Sequence, residues 1–296
     1  MVNQVKRGSF EMAAAMVISG TIGWFVLMSG QPVLDVVFWR CVFGALTLLL
    51  ICGLMGFLRP GLITWSVFGI AVASGGAIVG NWVLLFAAYS GASIGIATAV
   101  YNTQPFMLVA LGAIFLGERI TLDKMMWLSL AFIGMLAITQ SHGTTGGGHA
   151  YLMGIALALA AAFLYAIAAL LVKRLTGTPP HLIALIQVCT GILFLAPFAD
   201  VSALPEQTAL AWIMLLSMGV IHTGLMYVLL YGAIQKLPTA LTGALSFIYP
   251  VVAILVDWAA FGHRLQWLQW FGVAAILLAA AAMRQGWTLG RHRAVP

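Results

Sequence analysis

Apolar runs of about twenty residues follow one another along this chain, with the charges confined to the short gaps between them. No charged residue occurs from Cys41 to Leu58, nor from Ala150 to Val172. Hydrophobic residues make up 63% of the chain and charged residues 7%, whereas a soluble domain carries about a quarter charged. No water-soluble core hides that much apolar surface, so bilayer lipid must be the solvent. In lipid only helices and closed barrels satisfy their own backbone. The runs are continuous rather than alternating with period two, which selects helices.

Turn residues and charges divide the chain into ten expected spans: 10–28, 36–57, 64–89, 93–116, 123–140, 150–172, 181–199, 209–232, 239–260 and 265–284. The first follows Lys6 and Arg7 without an evident cleavage site before Ser29-Gly30-Gln31-Pro32, and reads as a retained helix. With the N-terminus in the cytoplasm, Lys6, Arg7, Arg59, Arg119, Lys124, Lys173, Arg174, Lys236, Arg284, Arg291 and Arg293 fall on the cytoplasmic side. Arg264, and Arg40 just inside span two, fall on the other. That positive-inside bias places both termini in the cytoplasm of an inner-membrane protein. It also accounts for the net charge of +6 without a nucleic-acid partner, since no soluble basic domain is present to bind one. Cys41, Cys52 and Cys189 all fall in apolar runs and read as small buried hydrophobes.

The chain also repeats itself without a gap at a shift of 145 residues: Val83-Leu84-Leu85 answers to Val228-Leu229-Leu230, Ala99 to Ala244, Pro105 to Pro250, and Arg119 to Arg264. The expected organisation is therefore a repeat over 1–145 and a second over 146–296, joined near Gly146-Gly147-Gly148. Five spans per repeat is an odd number, so the second copy sits upside down. Such inverted repeats can exchange roles and so support alternating access.

Several residues carry a resemblance to a known family. Trp24 lies in span one, and Pro32 precedes Arg40 by eight residues. Span four holds a mid-helix Pro105 and ends in Phe115-Leu116-Gly117-Glu118-Arg119. In the second half, Pro179 precedes Gln187 by eight residues, and Pro250 and Gly262-His263-Arg264 follow. Here His263 stands where the pattern usually has an acid. These features resemble the EamA-type, ten-helix members of the drug/metabolite transporter superfamily over essentially the whole chain. The resemblance implies export of small metabolites. The aromatic-rich spans three and eight are similar to those of bacterial aromatic amino-acid exporters, which makes amino acids the preferred substrate class.

Polar and aromatic residues at membrane depth are the candidate site, because burying them in lipid is unfavourable. Span three offers Asn81 and Trp82, and span eight His222 and Tyr227. Span four contributes Tyr101, Gln104 and Pro105 on one face, and span nine the repeat partners Ser246, Tyr249 and Pro250. Trp24 and, in span six, Tyr165 complete the candidates for substrate binding. Each such aromatic is either packing or cavity lining. Pro105 and Pro250 lack an N–H and so free a carbonyl one turn earlier, and matched interruptions in both repeats point to a transport site. Arg40 is either an interface anchor that snorkels, a gate, or a substrate contact. Asp257 either carries a coupling proton or pairs with Arg264 or Arg40. Glu11 reads as a simple helix N-terminal charge.

The sequence contains no metal-ligand, phosphate-loop or hydrolase motif. The expectation is a transporter, not an enzyme, with no cofactor and no metal. Its partners are a small-molecule substrate and the lipid bilayer, and a monomer suffices although oligomeric state stays open. Two alternatives remain: an exporter of another class, such as drugs, nucleobases or nucleotide-linked sugars, and a non-transporting membrane scaffold.

Overall fold

Prolines and glycines punctuate the chain where the spans should begin and end. Pro32, Pro179 and Pro238 stand immediately before helices with φ of −55°, −55° and −60° and extended ψ, the geometry their rings favour. Gly117 ends another helix at φ 67°, a left-handed conformation that a side chain would resist. The computed structural model describes residues 2–59, 61, 63–91, 97, 100–139, 149–199, 208–261 and 267–288. The joint at 146–148, Gly262, His263 and Arg264 lie outside the described residues, as do the side chains of Phe86, Tyr89 and Asp257.

Among the described residues every regular element is helical. We number them α1 (Val2–Ser29), α2 (Val33–Leu54), α3 (Trp65–Gly91), α4 (Gln104–Leu116), α5 (Leu122–Thr139), α6 (His149–Arg174), α7 (Pro180–Leu195), α8 (Ala209–Lys236), α9 (Thr239–Ala260) and α10 (Trp267–Gln285). All but α4 and α5 are counted as long and apolar enough to cross a membrane, which makes eight among the described residues. Helix α1 begins at Val2, earlier than the apolar run that announced it, because Lys6, Arg7 and Glu11 extend the helix beyond the lipid-matched stretch.

Helix α3 lies along α6, and α8 along α1. Helix α2 packs on α7 and α8, α7 on α3, α4 on α6 and α9, α9 on α1, and α5 on α10. Exchanging α1–α5 for α6–α10 maps these pairs onto themselves. Small residues make the close approaches, as lipid-solvated helices require. Ala158, Ala161, Ala162, Ala166 and Ala169 of α6 are buried, and a Cβ at Gly91 of α3 would stand 2.5 Å from the Ala150 carbonyl oxygen. Large apolar side chains point the other way: Leu50, Leu54, Ile114 and Leu193 are exposed on the outside, while Asn81, Gln187 and His222 are buried inside. That polarity is the reverse of a water-soluble fold.

Three expectations need correction here. Arg40 does not snorkel: it is only 4% exposed, because α8 packs over it. Glu11 is no simple helix-end charge, since it is buried and bonded to Lys236 of α8. Cys189 is exposed on the outer face of α7, whereas Cys41 and Cys52 are buried as expected.

Candidate functional site

The site is built on a close contact between α2 and α8 that only glycine permits. A Cβ at Gly219 would stand 2.2 Å from the Cβ of Phe43, and one at Gly44 would stand 2.5 Å from the Cγ2 of Thr223. At this contact α8 leaves α-helical geometry, and Met218–Leu225 forms a π-helical segment. Such widened turns redirect side chains and are frequent at functional sites. Here the Thr223 hydroxyl donates to the Met218 carbonyl at 3.1 Å and accepts from Arg40 Nε at 3.2 Å. Arg40 Nη2 also points at the His222 carbonyl, at 3.5 Å. The guanidinium carbon stands 4.7 Å from the centroid of the Trp82 ring, within range of a cation–π attraction.

From Trp82 an aromatic wall continues. Its ring meets Tyr227 edge-on at 6.1 Å, and Tyr227 meets Tyr231 at 5.2 Å. Trp82 and Tyr227 are partners under the 145-residue shift, so the repeats touch through equivalent side chains. Tyr231 donates to Gln187 Oε1, and Gln187 Nε2 donates to the Ser74 hydroxyl. Opposite, Asn81 Nδ2 donates to the Tyr101 hydroxyl at 3.2 Å and to the Ala161 carbonyl at 2.8 Å, while Tyr101 packs edge-on to Tyr165 at 6.3 Å. Tyr165 and Tyr249 pack against the same buried cluster that holds Trp82, Tyr227 and Tyr231. Tyr101, Tyr165 and Tyr249 lie deep in the bundle yet keep part of their surface accessible. Each is therefore only partly covered by its neighbours.

Two interruptions flank this group. The chain turns at Asn102-Thr103 just before α4, and α9 breaks at Phe247 between Thr239–Ser246 and Ile248–Phe261. Asn102 and Phe247 are repeat partners, so the helical pattern is interrupted just before both prolines at matched places. Pro105 seats α4 on α9 at Gly243, where an added Cβ would lie 2.9 Å from the proline Cβ. Pro250 is buried just past the break in α9.

The structure thus gathers Arg40, Asn81, Trp82, Tyr101, Tyr165, Tyr227 and Tyr249. Gln104 is buried beside them, and its Oε1 has no hydrogen-bond partner among the described residues. His222 and Trp24 belong elsewhere. The His222 ring points to α1, with Nε2 2.8 Å from the Thr21 hydroxyl and its face against Phe25 at 4.7 Å. Trp24 is half-buried and edge-on to the same Phe25 at 5.0 Å. Only the His222 backbone carbonyl reaches the central group.

Charged side chains tie down one end of the bundle around the α8–α9 connection. Glu11 accepts from Lys236 at 2.6 Å and from Arg7 at 2.9 Å. Glu118, just after α4, pairs with Lys173 of α6 at 2.8 Å and accepts from the Thr239 N–H at 3.0 Å and hydroxyl at 2.7 Å. Partial burial works against the Glu118 charge, but Lys173 and Thr239 outweigh it and hold the carboxyl below the usual glutamate range. A cavity of about 460 Å³ opens at this end between Trp127, Lys124, Pro238, Arg284 and Trp287. None of the central tyrosines lines it.

Comparison with known proteins agrees with this architecture. The model of the EamA-like transporter family matches residues 6–140 and again residues 152–284. The chain belongs to that family. An uncharacterised Bacillus subtilis (strain 168) transporter, YxxF, is 31% identical over 96% of this chain and 92% of its own length. A probable amino-acid metabolite efflux pump of Salmonella typhimurium is 27% identical over 67% of this chain and 70% of its own. A solved crystal structure of 19% identity superimposes with a TM-score of 0.81, covering 93% of this chain and 96% of that one, which speaks for the fold alone.

For an EamA-like transporter, a multi-pass membrane protein, the residues that sequence reasoning passed over are instructive. Gln187 was visible as standing, like Arg40, eight residues after a proline, but not as the partner of Ser74 and Tyr231. Thr223 and Thr21 carried no signal, because a threonine in a membrane helix usually satisfies itself on its own backbone.

Proposed function

We propose that this EamA-like transporter exports small amphipathic metabolites, amino acids including aromatic ones, across the bacterial inner membrane by alternating access. In this reading ten spans form two inverted five-span repeats, over 1–145 and 146–296, with both termini cytoplasmic. The symmetric set of helix pairs and the double family match support the duplication. The observation that carries the functional reading is the set of partly exposed tyrosines deep in the bundle, Tyr101, Tyr165 and Tyr249, with Tyr101 bonded to Asn81 and packed on Tyr165. Tyrosine rings supply apolar area and hydroxyls supply orientation, a combination suited to an amphipathic solute. The efflux pump of Salmonella typhimurium points to the same substrate class.

A panel of labelled amino acids in counterflow across proteoliposomes tests this. Uptake of aromatic or other amphipathic amino acids is expected, reduced by Tyr165→Ala and Tyr101→Ala. Absence of flux across the whole panel, with intact protein, refutes it. The cationic-drug alternative is less well served, since the charge described among these rings is the Arg40 cation, which repels such a substrate.

A further inference from the structure

We propose that Arg40 is the receptor for a substrate carboxylate, which makes an organic acid carrying an apolar or aromatic group the substrate class of this site, with the ammonium group dispensable. This rests on the reading that the tyrosine group is the transport site.

The Arg40 guanidinium is 4% exposed, in the second turn of α2. A buried cation is unfavourable unless a counter-charge or strong acceptors replace its water. Its described partners are all neutral: the Thr223 hydroxyl, the His222 carbonyl at the limit of hydrogen bonding, and the Trp82 ring. Of the five N–H groups of an arginine, these use two, and among the described residues three stay in the plane that a carboxylate engages as a fork. The orientation of that plane is set in advance. Thr223 is itself held by the Met218 carbonyl within the π-helical segment, and Trp82 covers one face of the guanidinium. A receptor held this way loses little freedom on binding.

Helix α7 supplies a control within the molecule. Gln187, which like Arg40 stands eight residues after the proline that opens its helix, is neutral and bonded at both ends of its amide, by Ser74 and Tyr231. Of these two places, one is closed by its own hydrogen bonds, and the other holds a cation that no described carboxylate pairs, beside the Trp82–Tyr227 wall. A substrate with its carboxylate on Arg40 brings an attached ring against Trp82 and Tyr227.

The test is competition against counterflow of labelled phenylalanine in proteoliposomes. One competitor, 3-phenylpropionate, keeps the carboxylate and lacks the ammonium; the other, phenethylamine, does the reverse. In the wild type 3-phenylpropionate is expected to compete, and phenethylamine to be at least about tenfold weaker. Arg40→Gln is expected to raise half-saturation for phenylalanine about tenfold or more and to erase the ranking, with Arg40→Lys partly restoring both. Equal competition by the two compounds in the wild type overturns the proposal, and that arm needs no variant to fold. So does an Arg40→Gln protein with a lowered maximal rate but unchanged half-saturation and ranking, which is the signature of a purely structural arginine. Asp257→Asn is expected to keep the ranking; its loss there would make Asp257 the partner of Arg40 and overturn the assignment. Phenylalanine flux with the wrong ranking defeats this proposal alone, whereas no flux of any amino acid in the panel defeats the transport reading with it.

Discussion

Removing the Glu118–Lys173 pair tests whether charges tie the α8–α9 connection to the rest of the bundle. The two side chains are 22% and 16% exposed, so the pair is neither a surface bridge nor a fully buried one. Exposed pairs contribute about 0–1 kcal/mol, and breaking a buried one costs about 3–5 kcal/mol. Glu118→Gln keeps a carbonyl for the Thr239 N–H and hydroxyl, and Lys173 keeps the Leu237 carbonyl, so most of the loss is the ion pair itself. We expect Glu118→Gln to cost about 1–2 kcal/mol, within the range for a hydrogen bond to a charged group. A cycle with Lys173→Met should return a coupling energy of similar size. The assay is SDS-titrated unfolding in mixed micelles, followed by the fluorescence of the ten tryptophans. A coupling energy under about 0.3 kcal/mol, the scatter of independent sites, refutes the argument. The pH dependence supplies the sign. Because Glu118 is held below the usual glutamate range, its contribution is complete above that range and is lost as pH falls through the folded-state value. The stability gap between wild type and Glu118→Gln should therefore be constant near neutrality and close in acid.

Three further outcomes follow from the packing. Gly219→Ala forces a Cβ to within 2.2 Å of Phe43 and should cost about 1–3 kcal/mol or more by overpacking, with transport falling because α2 and Arg40 are pushed off the π-helical segment; unchanged stability and flux would contradict this. Gln187→Leu leaves the Tyr231 and Ser74 hydroxyls without their partner and should cost about 1–3 kcal/mol, read by the same unfolding assay. Asn81→Leu leaves the Tyr101 hydroxyl without its partner and removes the second bond to the helical Ala161 carbonyl and should destabilise by about 1–3 kcal/mol while Tyr101→Phe costs less, so an equal effect of the two would place Asn81 outside that network.

Much of the architecture was legible because lipid imposes simple rules. A run such as Ala150–Val172 has to be a helix, since nothing else satisfies its backbone in hydrocarbon. The interruptions were legible for a related reason: a proline cannot donate, and Pro105 and Pro250 occur at one offset, so breaks at Asn102-Thr103 and Phe247 follow. The partners of the buried polar groups were not. His222 and Asn81 both read as candidate substrate contacts, but the first bonds α1 and the second bonds α6 and Tyr101. Helical periodicity says which residues share a face and not which neighbour that face meets.

The sequence by itself determined the solvent, the helices and the positions of the twin breaks, because each depends on residues near one another along the chain. Only the tertiary structure decided that Arg40 is buried, that Trp82 meets its own repeat partner Tyr227, and that Glu11 and Glu118 hold one end of the bundle together. Those facts depend on how closely helices approach. At α2 and α8 that distance is set by Gly44, Gly219 and a π-helical segment, whose widened turn is invisible to any count of 3.6 residues per turn.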